Sequence, residues 1–386
     1  MGIFILTSGI LIVICLIAEK FSAVRHRHAL KHVIHVNGTR GKSAVTRLIA
    51  AGLAESGMKT FCKTTGTLPM TIDVSGNEEL IVRRGRANIS EQISILAKAA
   101  KNGAEALVVE CMAVDPELQY VCENQILNAD IGVITNARVD HLAEQGDNER
   151  DVCEALCNTV PKNGMVFTCE ENCFELIRRS SEKRGTEAIL VKTEEAALPA
   201  DFETAFPENA ALALAVCMAA GVDRDTALRG MKKVKEDPFA ASRFRLKNGA
   251  VFINGMSAND PESTRTVFER FSGDLKWNKK VIILNCRSDR GYRTNLMAGY
   301  IAGAGADEVL LIGKGTHAAE RKLKKLGCKN LLICESAGDA ELNRYQENTV
   351  IYAIGNIAGP GMELMEYIKC SGVEEKIKAG AGKETE

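Results

Sequence analysis

After residue 32, segments in which hydrophobic residues are spaced as in a strand alternate with segments in which they are spaced as in a helix. Short apolar, β-branched runs predict strands at residues 33–36, 60–63, 106–110, 131–135, 165–168 and 188–191. Helical patterns lie between them, most clearly at residues 43–56 and 90–101. Strands separated by helices of this length are typical of a mostly parallel sheet covered on both faces. The pattern therefore predicts an α/β fold.

A second block of the same kind follows a charged, proline-containing stretch at residues 235–238. Before that stretch, residues 207–221 and 224–233 predict two further helices. Beyond it, apolar runs predict strands at residues 251–254, 281–285, 309–312, 331–334 and 350–354. We therefore expect a central domain at residues 32–236, a smaller C-terminal α/β domain at 237–371 and a flexible tail at 372–386.

The N-terminal segment has a different pattern. Residues 3–18 are almost uninterrupted apolar sequence, and a basic cluster follows up to Lys31. Sixteen helical residues span about 24 Å, so flanking residues or local thinning must help them cross a hydrocarbon core of about 30 Å. The one-sided basic flank predicts a single membrane helix within residues 1–31, with the rest of the protein on the cytoplasmic side. A buried core helix is the alternative.

The charge and the cysteine content restrict the classes of protein that fit this sequence. The formal net charge of −1 does not indicate a nucleic-acid surface. The chain has 13 cysteines without a C-x-x-C pair, which favours a reduced environment over a disulfide framework. Cys153, Cys157, Cys169 and Cys173 form two i, i+4 pairs, so a zinc site is an alternative to their simpler role as small apolar residues.

The segment H-V-N-G-T-R-G-K-S at residues 35–43 carries the most specific chemistry. A strand feeds a glycine-rich turn, whose backbone N–H groups and following helix N-terminus suit anionic oxygens. Lys42 supplies a charge for the β- and γ-phosphates, and the Ser43 hydroxyl is a hard ligand suited to Mg²⁺. The first glycine of the full P-loop is replaced by Val36, so the match is to the shorter form G-T-x-G-K-S. The loop residues predicted to bind ATP are Gly38, Thr39, Arg40, Gly41, Lys42 and Ser43.

Two later strands also end in side chains with chemistry. Glu110 closes the strand at 106–110, and His141 follows the strand at 131–135. Carboxyl ends of parallel strands meet at one edge, so Glu110 is predicted to share a metal ion with Ser43, and His141 to contact metal or phosphate. The alternatives are a solvated acid and a structural histidine. Asn136 and Asp140 are one residue too far apart for the guanine-selective N-K-x-D, which favours adenine.

These motifs together resemble the Mur ligase superfamily of ATP-dependent amide ligases. The resemblance is carried by residues 38–43, Glu110, residues 136–142, the alanine-rich stretch 207–215 and residues 242–244. Within that superfamily the chain is similar to the ligase subunits of capsular poly-γ-glutamate synthases. The strings at 38–48, 63–67, 110–114, 285–290 and 355–357 and the N-terminal apolar segment carry this finer similarity.

The resemblance implies a Mur ligase-like fold with a smaller Rossmann-like C-terminal domain. It implies an enzyme that joins glutamate residues through γ-amide bonds, using ATP, an acyl phosphate and Mg²⁺, with Mn²⁺ as an alternative ion. Lys42, Glu110 and His141 would be its catalytic residues, with His141 holding a second metal ion. Asn209 would face the adenine, and Arg243 would contact the phosphates.

Candidate substrate residues follow strands in both domains, and they are Thr64, Thr65, Thr67, Arg287, Asp289 and Arg290. Arginine forks suit carboxylates, although a plain turn and a solvated loop are the alternatives. The chain departs from the family pattern in that no match to the carbamylated lysine, with which some relatives bind metal, is found, and in a second feature early in the C-terminal domain. Many Mur ligases have a ribose-contacting Asp where this chain has Gly255, and Asp260 lies five residues further on.

The resemblance also implies partners. These are glutamate, the growing poly-γ-glutamate chain and small integral membrane subunits of a synthase and export complex, without nucleic acid; self-association stays open. Two rival functions remain: a Mur-type ligase acting on a folate or cell-wall precursor, and a membrane-linked P-loop transport ATPase.

Overall fold

The computed structural model divides the chain into two compact units, Met1–Lys235 and Glu236–Glu386. It describes residues 2–66, 68–83, 85, 87–199, 202, 206–234, 239–258, 260–288 and 291–375. Each unit contains one sheet dominated by parallel strands.

Helix α1 (Gly2–His28) is continuous and largely uncovered. Among the described residues it is the one helix long and apolar enough to cross a membrane, with a mean hydropathy of 1.8. Only 6% of its apolar window is buried, which contradicts the alternative of a core helix. Its last turn is fixed to the first unit, where Arg27 Nη2 lies 2.7 Å from Asp130 Oδ1 and Arg27 Nε donates to Asn128 O at 2.8 Å.

The sheet of the first unit has the order β4-β3-β2-β5-β1-β6-β7-β8. The strands are β1 (His32–Asn37), β2 (Thr60–Lys63), β3 (Met70–Ile72), β4 (Glu78–Leu80), β5 (Ala106–Glu110), β6 (Ile131–Ile134), β7 (Met165–Thr168) and β8 (Glu187–Leu190). The six predicted strands are present, and all six run parallel. The antiparallel hairpin β3–β4 was not predicted, because three-residue strands are too short to show a period.

Helices cover both faces of this sheet. They are α2 (Lys42–Glu55), α3 (Glu91–Lys101), α4 (Pro116–Val121), a π-helix (Cys122–Leu127), α5 (Leu142–Gln145), α6 (Glu149–Leu156), α7 (Glu171–Glu182), α8 (Pro207–Ala219) and α9 (Arg224–Met231). Val45, Ile49 and Leu53 of α2 pack with apolar residues of α8 and α9 in one core. Leu96 of α3 packs with Phe61 in the other. The helix that begins at the glycine turn is thus held in the first of these cores, against α8 and α9.

The three cysteines Cys153, Cys157 and Cys173 are buried where α6 and α7 pack, and Cys169 is half-buried. In the described part of the chain, no group of three or more His, Cys, Asp or Glu residues could hold a metal ion. The zinc alternative is therefore wrong for these cysteines.

The sheet of the second unit has the order β13-β12-β11-β14-β10-β9-β15. Its strands are β9 (Ser242–Leu246), β10 (Val251–Asn254), β11 (Lys279–Cys286), β12 (Glu308–Gly313), β13 (Leu331–Ile333), β14 (Thr349–Ile354) and β15 (Gly372–Glu375). Its helices are α10 (Pro261–Ser272), α11 (Gly291–Gly303), α12 (Thr316–Lys325) and α13 (Pro360–Ser371). The five predicted strands are present and form the parallel part, while β9 and β15 pair antiparallel at one side.

The prediction of a flexible tail from residue 372 is wrong for its first four residues. Gly372–Glu375 form β15, where Gly372 pairs with Leu246 and Glu375 with Arg243. The carboxylate of Glu375 lies 2.6 Å from Arg245 Nε and 2.9 Å from Arg243 Nε. Charged residues favour a solvated tail, but Glu375 pairs with two arginines of the neighbouring strand. Residues 376–386 lie outside the described residues.

A buried ion pair joins β1 to the π-helix. His35 Nδ1 and Glu123 Oε2 are 2.8 Å apart, and both side chains are at most 1% exposed. The other oxygen of Glu123 accepts a 2.9 Å hydrogen bond from Ala129 N. Burial by itself would lower the pKa of His35, but Cys111, Cys122 and Glu123 raise it well above its usual value of 6.5. The surroundings of this imidazole therefore favour its protonated form.

We expect Glu123→Leu to lower the free energy of unfolding by about 3–5 kcal/mol, because it leaves a buried charge without its partner. Since the folded-state pKa of His35 is raised, the pair stabilises fully below about pH 6.5 and less as the pH rises through the folded-state pKa. Denaturant unfolding followed by circular dichroism at several pH values measures this difference.

The control is the double variant His35→Phe/Glu123→Leu. It replaces the pair by apolar side chains and should recover most of the loss. A double variant as unstable as the single one would show that shape, rather than pairing of charge, explains the effect.

Candidate active site

The turn between β1 and α2 leaves no room for a side chain at either of its two glycines. Gly38 and Gly41 have φ values of 128° and 78°, in the region that favours glycine. A β-carbon on Gly38 would come within 2.1 Å of Thr135 Oγ1, and one on Gly41 within 2.6 Å of Asn209 Oδ1. The predicted nucleotide residue Asn209 therefore lies against the phosphate loop.

The loop is tied to the segment that follows β6. Thr39 N donates to Asn136 O at 2.9 Å, and Arg40 N donates to Asn136 Oδ1 at 2.9 Å. Thr135 Oγ1 donates to Arg40 O at 2.5 Å, and Thr39 Oγ1 donates to Arg138 O at 2.9 Å. The N–H groups of Thr39 and Arg40 are thus used within the protein. The first turn of α2, whose N–H groups have no intrahelical partner, is then the part of the loop best suited to an anion.

Lys42 lies over this loop. Its Nζ donates to Gly38 O at 2.6 Å and to Thr39 O at 3.3 Å. Burial lowers the pKa of Lys42, and the nearby carboxylate of Glu110 opposes that shift. The ammonium is thus placed at the loop that the sequence predicts to bind phosphates.

The structure brings Ser43 and Glu110 together. Ser43 Oγ donates to Glu110 Oε2 at 2.8 Å, and Thr65 N donates to the same oxygen at 2.7 Å. Gln92 Nε2 donates to the backbone oxygen of Glu110 at 3.2 Å. Hydroxyl and carboxylate oxygens fit a hard divalent cation, which would take its remaining ligands from phosphate and water.

Lys63 is a site-adjacent residue that sequence reasoning missed. Its side chain is fully buried at the end of β2, with Nζ 2.9 Å from Glu91 Oε1 and 3.4 Å from Met112 Sδ. Glu91 also pairs with Arg83 at 2.7 Å. Burial lowers the pKa of Lys63, and Glu91 counteracts this. A lysine inside a predicted buried strand was the signal that could have identified it.

His141 reaches the loop through its neighbours. It precedes α5 with its side chain 23% exposed, and its Nε2 lies 3.5 Å from Asp140 Oδ2. Asp140 in turn pairs with Arg40 at 2.9 Å. The histidine is thus at the predicted edge, and its role as a metal ligand stays a prediction.

The threonines after β2 differ in their surroundings. Thr64 is buried and exchanges backbone hydrogen bonds of 2.9 and 3.3 Å with Met70, so it closes a turn. Thr65 orients Glu110 through its backbone N–H. Thr67 lies outside the described residues.

In the second unit, Arg287 lines a small cavity at the carboxyl ends of β11 and β14, together with Asn285, Arg293, Thr294 and Asn356. Asn285 Nδ2 donates to Asn356 O at 2.5 Å. Asn285 Oδ1 and Asn356 Nδ2 are buried and have no hydrogen-bond partner in the part of the chain that the structure describes. These polar groups suit a small charged ligand. Asp289 and Arg290 lie outside the described residues.

Arg243 lies in β9 and is held by two carboxylates. Its Nη1 is 2.5 Å from Asp274 Oδ1, and its Nε is 2.9 Å from Glu375 Oε2. The hydrogen bond from Arg243 lowers the pKa of Asp274. These contacts place it within the second unit, so its role at the phosphates stays a prediction.

The residues considered for the ribose have structural contacts. Asp260 begins α10, where its Oδ1 accepts a 2.9 Å hydrogen bond from Ser263 N. A β-carbon on Gly255 would come within 2.4 Å of the Tyr352 ring. Gly255 therefore allows close packing against β14, and Asp260 caps a helix.

Comparison with known proteins agrees with this arrangement. A model of the Mur ligase middle domain matches residues 36–231, and one of the poly-γ-glutamate synthase CapB C-terminal domain matches 241–371. The chain is 36% identical to the capsule biosynthesis protein CapB of Bacillus anthracis, covering 89% of this chain and 77% of the relative. It is 34% identical to the PGA synthase CapB of Bacillus subtilis strain 168, covering 98% and 99%.

A solved structure shows the same fold. It is a bifunctional folylpolyglutamate synthase/dihydrofolate synthase from Yersinia pestis, complexed with AMPPNP and a Mn ion. The TM-score is 0.67 at 14% identity, covering 91% of this chain and 92% of that chain. The expected Mur ligase-like fold is thus confirmed.

The fold, the phosphate loop and the matched domains define an ATP-dependent ligase of the Mur ligase superfamily. Both CapB relatives match most of the chain, and the CapB model covers its second unit. The chain belongs to the CapB family of poly-γ-glutamate synthases.

We expect Asn136→Ala to weaken ADP binding about tenfold, because two hydrogen bonds that hold the Arg40 backbone are lost. Isothermal titration with ADP measures the change. Asn172→Ala, at an exposed position of α7, is the matched control and should bind like the wild type. Equal affinity of the Asn136 variant would contradict a supporting role for this side chain.

Proposed function

We propose that this chain uses ATP to join glutamate residues through γ-amide bonds, extending a poly-γ-glutamate chain. The observation that carries the proposal is the convergence of Lys42, Ser43 and Glu110 at one sheet edge in a chain of the CapB family. The names of the two relatives, a capsule biosynthesis protein and a PGA synthase, support the polymer as product.

The chemistry requires activation of a carboxylate. Its leaving group would otherwise be oxide or hydroxide, so the γ-phosphoryl group of ATP is first transferred to a carboxylate oxygen and ADP leaves. The amine of the second substrate then attacks the acyl carbon. The C–O bond to phosphate breaks, the nitrogen loses a proton, and an amide and inorganic phosphate result. Positioning and neutralisation of charge are what the protein must supply.

The residues of the first unit fit these tasks. Lys42 and the first turn of α2 would bind the β- and γ-phosphates, and Asn209 would lie beside the nucleotide. Ser43 and Glu110 would hold a divalent ion, Mg²⁺ or Mn²⁺, which neutralises charge on the phosphate oxygens when bound. His141, linked to Arg40 through Asp140, is the candidate for a second ion nearer the acceptor carboxylate.

The cavity at Arg287 is our candidate for the amino-acid substrate. The guanidinium group suits a carboxylate. Asn285 and Asn356 add an acceptor and a donor at the same place, each without a hydrogen-bond partner among the described residues. The cavity holds only about 10 Å³, room for about one water, so the carboxylate of a free amino acid would meet this set at the mouth of the cavity.

Helix α1 is our candidate membrane anchor, with the catalytic body on the cytoplasmic side. Its length, its apolar exposed surface and the basic residues of its last turn support this. Small integral membrane subunits would then receive the polymer. A membrane anchor favours the proposed function over a soluble folate ligase. The pairing of a carboxylate with the loop serine fits the proposed ligase and a transport ATPase equally well.

Lys42→Ala and Glu110→Ala should each abolish glutamate-dependent ADP release while leaving the circular dichroism spectrum unchanged. The first removes the charge on the phosphates and the second an ion ligand. The assay uses membranes containing this chain and its neighbours, with Mg·ATP and labelled glutamate, and follows ADP and acid-precipitable γ-linked product. Near-wild-type turnover in either variant would contradict the assignment, and ADP release that ignores glutamate would favour the transport ATPase.

Arg287→Ala should raise the KM for glutamate at least about tenfold with ADP affinity unchanged, because a charge-assisted contact to a carboxylate is lost. Initial rates at varied glutamate concentration measure it. Arg321→Ala, at an exposed position of α12, is the control. A lower kcat with unchanged KM would place Arg287 in another role.

A further inference from the structure

Helix α1 joins the first unit at the edge of the sheet opposite to the phosphate loop. Its Arg27 is bonded to Asp130, which directly precedes β6, and the following Lys31 N donates to Glu105 O just before β5. Both acids lie at the amino ends of parallel strands. The phosphate loop lies at the other end of β1, whose six residues span about 20 Å.

This edge, which we call the amino edge, has a basic residue at or near the start of every parallel strand. In the order of the sheet these are Lys59 before β2, Lys101 before β5, Lys31 before β1, Arg27 bonded beside β6, Lys162 before β7, and Lys183 and Arg184 before β8. All five lysines are exposed. Six strands spaced about 4.8 Å apart make this a band about 24 Å wide.

The acidic residues of the amino edge do not cancel this charge. Asp130 is paired with Arg27, and Glu182 is paired with Arg178 on α7. Glu105 and Glu187 are exposed, and an oxygen of Glu105 accepts a hydrogen bond from the backbone N–H of Lys59 at 3.1 Å. The five exposed lysines therefore outnumber the three exposed acids Glu105, Glu182 and Glu187, of which Glu182 is already paired, and the band carries net positive charge.

We propose that the amino edge docks on anionic lipid headgroups when α1 is inserted in the bilayer. This rests on the proposed anchor and goes beyond it, because an anchor alone leaves the domain free to tilt. Two observations identify anionic lipid as the occupant of the amino edge. The apolar helix α1 enters the protein at this edge, and the band of lysines carries net positive charge. The parallel strands then point away from the membrane, and the phosphate loop opens on the far side of the sheet.

Lysines near helix C-termini have a competing explanation. Lys101 ends α3 and Lys183 follows α7, where positive charge stabilises the helix dipole. Lys31, Lys59 and Lys162 lie in turns and have no such role. These three lysines are therefore the ones substituted in the experiment.

The full chain is reconstituted in lipid nanodiscs of phosphatidylcholine alone or mixed with phosphatidylglycerol. Amide hydrogen exchange is followed in residues 162–164, which are far from α1 in sequence. The variant is Lys31→Gln/Lys59→Gln/Lys162→Gln. Its matched control is Lys322→Gln/Lys325→Gln/Lys329→Gln, which removes the same charge from exposed positions at and beyond α12.

In the wild type and the control, we expect exchange at 162–164 to be slower in anionic than in neutral discs. Each lysine near an anionic surface contributes about a fivefold preference. The triple variant should therefore lose docking by about a hundredfold and exchange alike in both discs, as should the wild type at high salt.

Equal exchange of the wild type in the two lipids would overturn the proposal. So would a triple variant that keeps the lipid dependence, or one whose only change is a lower melting temperature. Failure of the anchor itself gives a different result, since the chain would then not enter the discs.

Discussion

The carboxylate of Glu110 is the group on which the catalytic edge depends. One of its oxygens receives Ser43 Oγ and Thr65 N, and its backbone oxygen receives Gln92. These contacts connect the start of α2, the turn after β2 and the start of α3 to the end of β5. The register places Val36 beside Glu110 and Lys63 beside Val109. A slip of one residue in β5 would turn this carboxylate to the other face of the sheet and break the side-chain contacts at once.

The neighbouring strand on the other side supports the loop itself. Because β1 lies between β5 and β6, the turn after β1 has the carboxylate of Glu110 on one side and the Thr135–Arg138 segment on the other. The contacts from the Thr135–Arg138 segment support the backbone of the loop rather than a group that would take part in the reaction. The chain Arg40–Asp140–His141 extends from it, so one loop residue connects the support of the phosphate loop to the candidate second ion ligand.

The sequence allowed some of this to be predicted for a clear reason. In a parallel sheet, residues after successive strands share an edge, so Ser43 and Glu110 could be placed together without knowing any contact. The supports of Glu110 were not predictable in this way. Thr65 acts through its backbone, and Gln92 lies in a helix with no motif. Lys63 depends on Glu91, and nothing in the pattern of the chain identifies that pairing.

The two ends of the parallel strands have different physical requirements. Phosphate binding needs the N-termini of helices, which follow the carboxyl ends of strands, while helix C-termini and their lysines collect at the amino ends. A polyanionic product with one carboxylate per residue is repelled by anionic headgroups. A domain docked through its amino edge would keep that product and ATP at least about 20 Å from the repelling surface. In a domain docked in this way the site would not open onto the lipid, so a membrane subunit that receives the chain would have to reach around the domain.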